Sequence, residues 1–134
     1  SGIFSFQANL LGEYTVKIKN NSPKDSALVT FTMNTYQEEI KQFRVASYTP
    51  EACVLGLLAE SGEVAAVFQK MIRGDYSPDM AATKLHKELG DVLWHIAAIA
   101  SDNGWTLQEI AEANIDKLAS RQLRSVILGS GDNR

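Results

Sequence analysis

Four acids stand where a carboxylate is hard to accommodate. Glu60 and Glu63 form an E-x-x-E pair, and Glu88 and Asp91 form an E-x-x-D pair. At about 100° per residue, Gly56, Leu57, Glu60, Val64 and Val67 share one helical face, with Glu63 on its flank. Leu85, Leu89, Val92, Ile96 and Ile99 make a second apolar stripe. Glu88, Asp91 and His95 run along its edge, at spacings of three and four. A carboxylate in an apolar interior is costly unless something pairs with it. Four of them converging from two helices repel one another, and a divalent cation removes that repulsion. Inward-facing acids on neighbouring bundle helices are one way to build a metal site. An all-oxygen ligand set favours a hard ion, Mg²⁺ or, as a substitute, Mn²⁺. Either pair alone reads most simply as a solvated helix face. The recurrence on consecutive helices, each pair touching an apolar stripe, is what points to metal. His95 alone reads as a satisfied, partly buried histidine rather than a ligand.

The elements that must position these acids are helices. Thr35 with Glu38 reads as a capping box for a first helix over 35–47. Thr49 and Pro50 open a second, which runs to about Arg73 and ends at Gly74. Ser77 and Pro78 open a third, ending at Asp102 before Asn103-Gly104. Thr106 and Glu109 make a capping box for a fourth over 107–125. Four helices with short connections predict an all-α fold, an antiparallel four-helix bundle. Ahead of them, Tyr14–Lys19 alternates with the strand period, and Leu28–Thr32 is β-branched and aromatic. Turn formers at 20–25 separate the two. Residues 1–32 therefore read as an N-terminal extension, either a short β-hairpin or a disordered segment. Ser1-Gly2 reads as a cloning remnant, and Met33 as an alternative natural start. The helical domain spans 33–126, and 127–134 reads as a flexible C-terminal tail.

The bulk properties exclude some classes. The chain has 134 residues and a net charge of −3, enough for one domain with a real core. No basic excess exists to displace counterions, which argues against a nucleic-acid partner. No apolar run approaches the roughly 20 residues of a membrane span, so no membrane partner is expected. No signal segment opens the chain. Cys53 is the sole cysteine. It can form no internal disulfide, and a cytoplasmic location is expected. Helix 2 is apolar around much of its circumference, at Val54, Leu55, Leu57, Leu58, Ala65, Ala66, Val67 and Phe68. One bundle leaves part of that surface exposed, so a homodimer or homotetramer is expected.

The two acid pairs and their surroundings resemble a known family. Gly56-Leu57-Leu58-Ala59-Glu60-Ser61-Gly62-Glu63-Val64-Ala65 is similar to the first metal helix of the MazG-like all-α nucleotide pyrophosphohydrolases. Glu88-Leu89-Gly90-Asp91-Val92-Leu93-Trp94 is similar to the second, and Trp105–Arg121, with Ala113-Asn114-Ile115-Asp116-Lys117-Leu118, to the last helix. The closing Gly-Ser-Gly-Asp-Asn-Arg resembles the ending of a subset. The resemblance covers about 35–134 and leaves the first 32 residues outside. It implies hydrolysis of a nucleoside or deoxynucleoside triphosphate between the α and β phosphates, and a homodimer or tetramer with active sites near subunit contacts. It implies Glu60, Glu63, Glu88 and Asp91 as metal ligands, and Asn114, Lys117 and Arg121 as nucleotide contacts. Many relatives carry a further Glu just before the first motif Glu, able to activate water. Here that position is Ala59, so the catalytic base is sought first at Glu63, then at Glu60.

Lys117 and Arg121 lie four apart on one helix face and can clamp phosphate oxygens; cations near a helix C-terminus also simply favour the dipole. Trp94 and His95 can frame a base pocket, although Trp94 fits core or subunit contact better. Arg124 and Arg134 are further candidates for phosphate contact, the latter on a tail that would have to fold over the site. The competing reading is a non-catalytic, metal-stabilised helical interaction protein, to which Ala59 lends weight. A di-iron bundle is disfavoured, because neither acid pair supplies the Glu-x-x-His repeat of such sites.

Overall fold

The computed structural model describes the backbone over residues 4–8, 13–18 and 26–124, and side chains over 31–124. Three strands come first: β1 (Phe4–Ala8), β2 (Glu13–Ile18) and β3 (Ser26–Thr30). They form an antiparallel meander in the order β1-β2-β3, with Phe4 opposite Ile18 and Glu13 opposite Thr30. The expected hairpin is thus its β2–β3 half, and β1 is an addition. The body of the chain is all-α, with α1 (Met33–Ile40), α2 (Pro50–Ile72), α3 (Pro78–Asp102) and α4 (Leu107–Leu123).

Local chemistry sets most of the helix ends. The Thr49 and Ser77 hydroxyls accept from the backbone N–H groups of Ala52 and Met80, each ahead of a proline that needs no partner. Thr106 and Glu109 close a reciprocal box at the start of α4. Gly74 (φ 85°) and Gly104 (φ 72°) turn the chain in the left-handed region after α2 and α3.

The first helix departs from expectation. Thr32, not Thr35, is its cap, accepting from Thr35 N, so the helix starts at Met33. It also stops early: Lys41–Phe43 tighten into a 3₁₀ turn and Arg44 is extended. Arg44 forks onto Asp102 (2.6 and 3.1 Å), and its Nε donates to the Tyr48 carbonyl. That anchor to the end of α3 replaces the last expected turns of helix.

α2 and α3 form a long antiparallel hairpin, and α1 packs on α3 and α4 to complete the bundle. The centre is Ile40, Ala97, Ala100 and Leu107, with Tyr36, Trp94 and Ile96 against it. Gln37 is buried there and satisfied. Its Nε2 donates to Ser101 Oγ (3.0 Å) and the Trp105 carbonyl (2.8 Å), and its Oε1 accepts from Leu107 N (2.7 Å). It thereby ties α1 to the α3–α4 turn. Among the described residues no helix is long and apolar enough to cross a membrane.

Candidate metal and active site

The antiparallel α2–α3 pair brings the two acid motifs to one place. Glu60 from α2 meets Glu88 and Asp91 from α3, one oxygen of each lying within 4.8 Å of the others. Glu60 and Glu88 are half-buried and Asp91 is exposed. Glu63 falls outside this trio, exposed one turn beyond Glu60. Among the described residues no cation pairs with any of the three. The α2 stripe faces inward as expected, with Val67 buried and Gly56, Leu57 and Val64 half-buried. Leu89 on α3 does not follow and is half exposed.

The donor set fits a hard divalent ion. Opposed oxygens on one Mg²⁺ stand about 4.2 Å apart, twice its usual 2.1 Å bond. Adjacent oxygens stand about 3.0 Å apart, and three oxygens include at most one opposed pair, so the trio must draw in from its 4.8 Å limit to hold one ion. Burial pushes the Tyr36 phenol above its ordinary value, and the Asp91 carboxylate adds to the shift. Tyr36 on α1 thus lies within the field of the acid cluster, a neighbour that spacing along the chain does not reveal.

His95 is buried and satisfied. Its Nδ1 faces the Asp91 carbonyl at 2.8 Å, and its Nε2 the Tyr48 hydroxyl at 2.9 Å. A carbonyl can only accept, so the proton sits on Nδ1, and in the neutral ring Nε2 accepts from Tyr48. With both nitrogens engaged, His95 has no free nitrogen to offer a metal in this arrangement. Trp94 is half-buried at the edge of the core, edge-on to His95 with ring centres 5.0 Å apart. Sequence reasoning passed over Tyr48, which lies 47 positions from its partner.

The last helix stands elsewhere. Asn114 and Lys117 line an open trough of about 590 Å³ with Leu93, Ile96, Leu107 and Ile110. On α3, Leu93 points about 140–160° around the helix from Glu88, Asp91 and His95, whereas Ile96 lies only about 80° from Glu88 and about 100° from His95, on the stripe that those residues edge. Lys117 is exposed and Arg121 is buried, 6% accessible. Arg124 caps the end of α4. Arg134 and the tail over 127–134 lie outside the described residues.

Comparison with known proteins agrees with this geometry. The family model described as the MazG nucleotide pyrophosphohydrolase domain matches residues 48–124, more than half of the chain and the whole α2–α3 hairpin. The Gene 37 protein of Mycobacterium phage L5 is 40% identical over 85 residues, covering 60% of this chain and 72% of the phage protein. With both acid motifs inside the matched span and gathered at one point, the chain belongs to the MazG nucleotide pyrophosphohydrolase family.

Proposed function

We propose that this protein hydrolyses nucleoside and deoxynucleoside triphosphates to the monophosphate and pyrophosphate, with Mg²⁺ as cofactor, in nucleotide-pool house-cleaning. The observation that carries this reading is the meeting of Glu60, Glu88 and Asp91 from two separate motifs. These three hold the ion, which when bound neutralises phosphate charge and lowers the pKa of an attacking water. Glu63, on the flank of the cluster, takes the proton from that water, and Glu60 is the second choice for the role. The new O–P bond forms in line as the α–β bridging bond breaks and pyrophosphate leaves, so most of the catalysis is positioning and charge stabilisation.

The protein works as a homo-oligomer. Among the described residues the side chains buried completely are small, with Cys53 the largest, while Val54, Leu58, Phe68 and Ile72 are exposed on one face of α2. Contiguous apolar surface of this kind marks an interface. Asn114 and Lys117 of one copy contact the nucleotide at the acids of the other, with Arg121, Arg124 and Arg134 as further phosphate contacts.

The test is a pyrophosphate-release assay over a panel of common and oxidised nucleotides, with the parent, Glu63→Gln, Lys117→Ala and a subunit-exchanged mixture of the two variants. Each variant alone should be inactive and the mixture should recover activity. Pyrophosphate release that is unchanged in Glu63→Gln would remove its role as base. A parent that binds Mg²⁺ yet releases no pyrophosphate from any nucleotide would leave the metal-stabilised interaction protein as the reading.

A further inference from the structure

Gly56 lies in the interior of α2, although glycine is among the poorest helix formers. Its neighbours supply a reason. A Cβ at this position would overlap His95 Nε2 and the Tyr48 hydroxyl, and would lie 2.6 Å from His95 Cδ2. Carbon atoms normally approach to about 3.5–4.0 Å, so about 1 Å would have to open between α2 and its neighbours. The imidazole is poorly placed to swing aside. Nδ1 is bonded to the Asp91 carbonyl, Nε2 to Tyr48, and the ring stands against Trp94. The missing side chain of Gly56 is therefore filled by a histidine–tyrosine pair that enters from α3 and from the loop before α2.

This contact is one helical turn from the acids on both sides. Glu60 follows Gly56 by four residues, and Asp91 precedes His95 by four, a rise of about 6 Å in each case. We propose that Gly56, His95 and Tyr48 are positioning residues that set the α2–α3 separation at the acid cluster, and with it the affinity for the divalent ion. The proposal rests on the reading of Glu60, Glu88 and Asp91 as metal ligands. The trio spans up to 4.8 Å. An opening of about 1 Å works against the closure to about 3.0–4.2 Å that three oxygens on one Mg²⁺ require. His95 acts on the same geometry a second time, since its Nδ1–H holds the backbone of Asp91 itself.

Mn²⁺ binding to the full chain, followed by electron paramagnetic resonance, tests this without reference to turnover. Gly56→Ala should raise the Mn²⁺ Kd by about 10–100-fold, the usual range when the support of a metal ligand is disturbed. Tyr48→Phe keeps the ring, loses the bond to Nε2 and should raise it several-fold. Gly90→Ala is the control, because a Cβ there meets nothing within 4 Å; it should match the parent. Nucleotide hydrolysis by Gly56→Ala should recover as Mg²⁺ is raised to saturation, which a general loss of structure would not allow. A folded Gly56→Ala with a Kd within twofold of the parent overturns the proposal, as does Gly90→Ala weakening binding equally. If Gly56→Ala does not fold, Tyr48→Phe decides: an unchanged Kd refutes. A parent that binds no Mn²⁺ removes the ligand assignment together with the proposal, whereas a binding parent with indifferent variants removes the proposal alone.

Discussion

Replacing Asp91 with asparagine should move stability and metal response in opposite directions. Three carboxylates within 4.8 Å of one another make three repulsive pairs, and Asp91 takes part in two. At that distance a pair of unit charges costs about 0.9 kcal/mol in water and about 3.5 kcal/mol at an effective dielectric constant of 20. Asp91 is exposed and its partners are half-buried, so the watery end applies, about 1 kcal/mol per pair. The metal-free variant should therefore gain about 2 kcal/mol, which in a domain of this size raises Tm by about 6–8 °C. The parent has a compensation that the variant lacks. An ion at 100 times its Kd stabilises the folded state by about 2.7 kcal/mol. Calorimetric melts in chelator should place Asp91→Asn above the parent, and melts in saturating Mg²⁺ should place it below. Pyrophosphate release should be lost. The reasoning fails if the variant melts below the parent in chelator, or if Mg²⁺ raises both melting points equally.

Two further outcomes follow from the frame around the site. Gln37→Leu removes three buried hydrogen bonds; at about 1 kcal/mol each, urea unfolding should show a loss of about 3 kcal/mol, and a loss under 1 kcal/mol would contradict the anchoring role. The Glu109 carboxylate is held below its ordinary 4.5 by the Thr106 backbone N–H and then the Thr106 hydroxyl. Its contribution is present above pH 4.5 and fades as pH falls through the lower folded value. Melts of Glu109→Gln should accordingly lie below the parent at neutral pH and converge with it in acid, and a gap independent of pH would exclude this charge as the source.

Sequence reading succeeded where the determinant was local. Thr49-Pro50, Ser77-Pro78 and the Thr106/Glu109 box bound their helices as expected, because each cap bonds a backbone group only a few residues away. It failed where the determinant was distant. α1 ends at Ile40 because Arg44 reaches Asp102, 58 positions along the chain. Thr32 and Thr35 both looked like caps, and their rank depended on where the helix starts. At the site, helical phase was enough to bring Glu60 to Glu88 and Asp91. Phase alone does not place Glu63, since a residue on the flank of a helix joins or misses the cluster according to the separation and register of the pair. The same gap hid Tyr48 and the use of Gly56. A glycine inside a helix signals a close approach, but what approaches it is a tertiary fact.

The geometry divides the proposed labour between one chain and two. The acids sit on a hairpin with its own fastenings: the Tyr48–His95 contact one turn away, and the Arg44–Asp102 fork further along α3. Neither fastening uses α4, so the carboxylates are gathered before any second copy arrives. The residues of α4 are in the opposite position. Ile115 and Leu118 are exposed and Lys117 borders an open trough, a face that the proposed oligomer would cover. On the proposed function, metal affinity belongs to the folded chain and nucleotide affinity to the assembled protein. Dilution should then leave Mn²⁺ binding intact and abolish hydrolysis, because the proposed lysine and asparagine contacts come from the second copy.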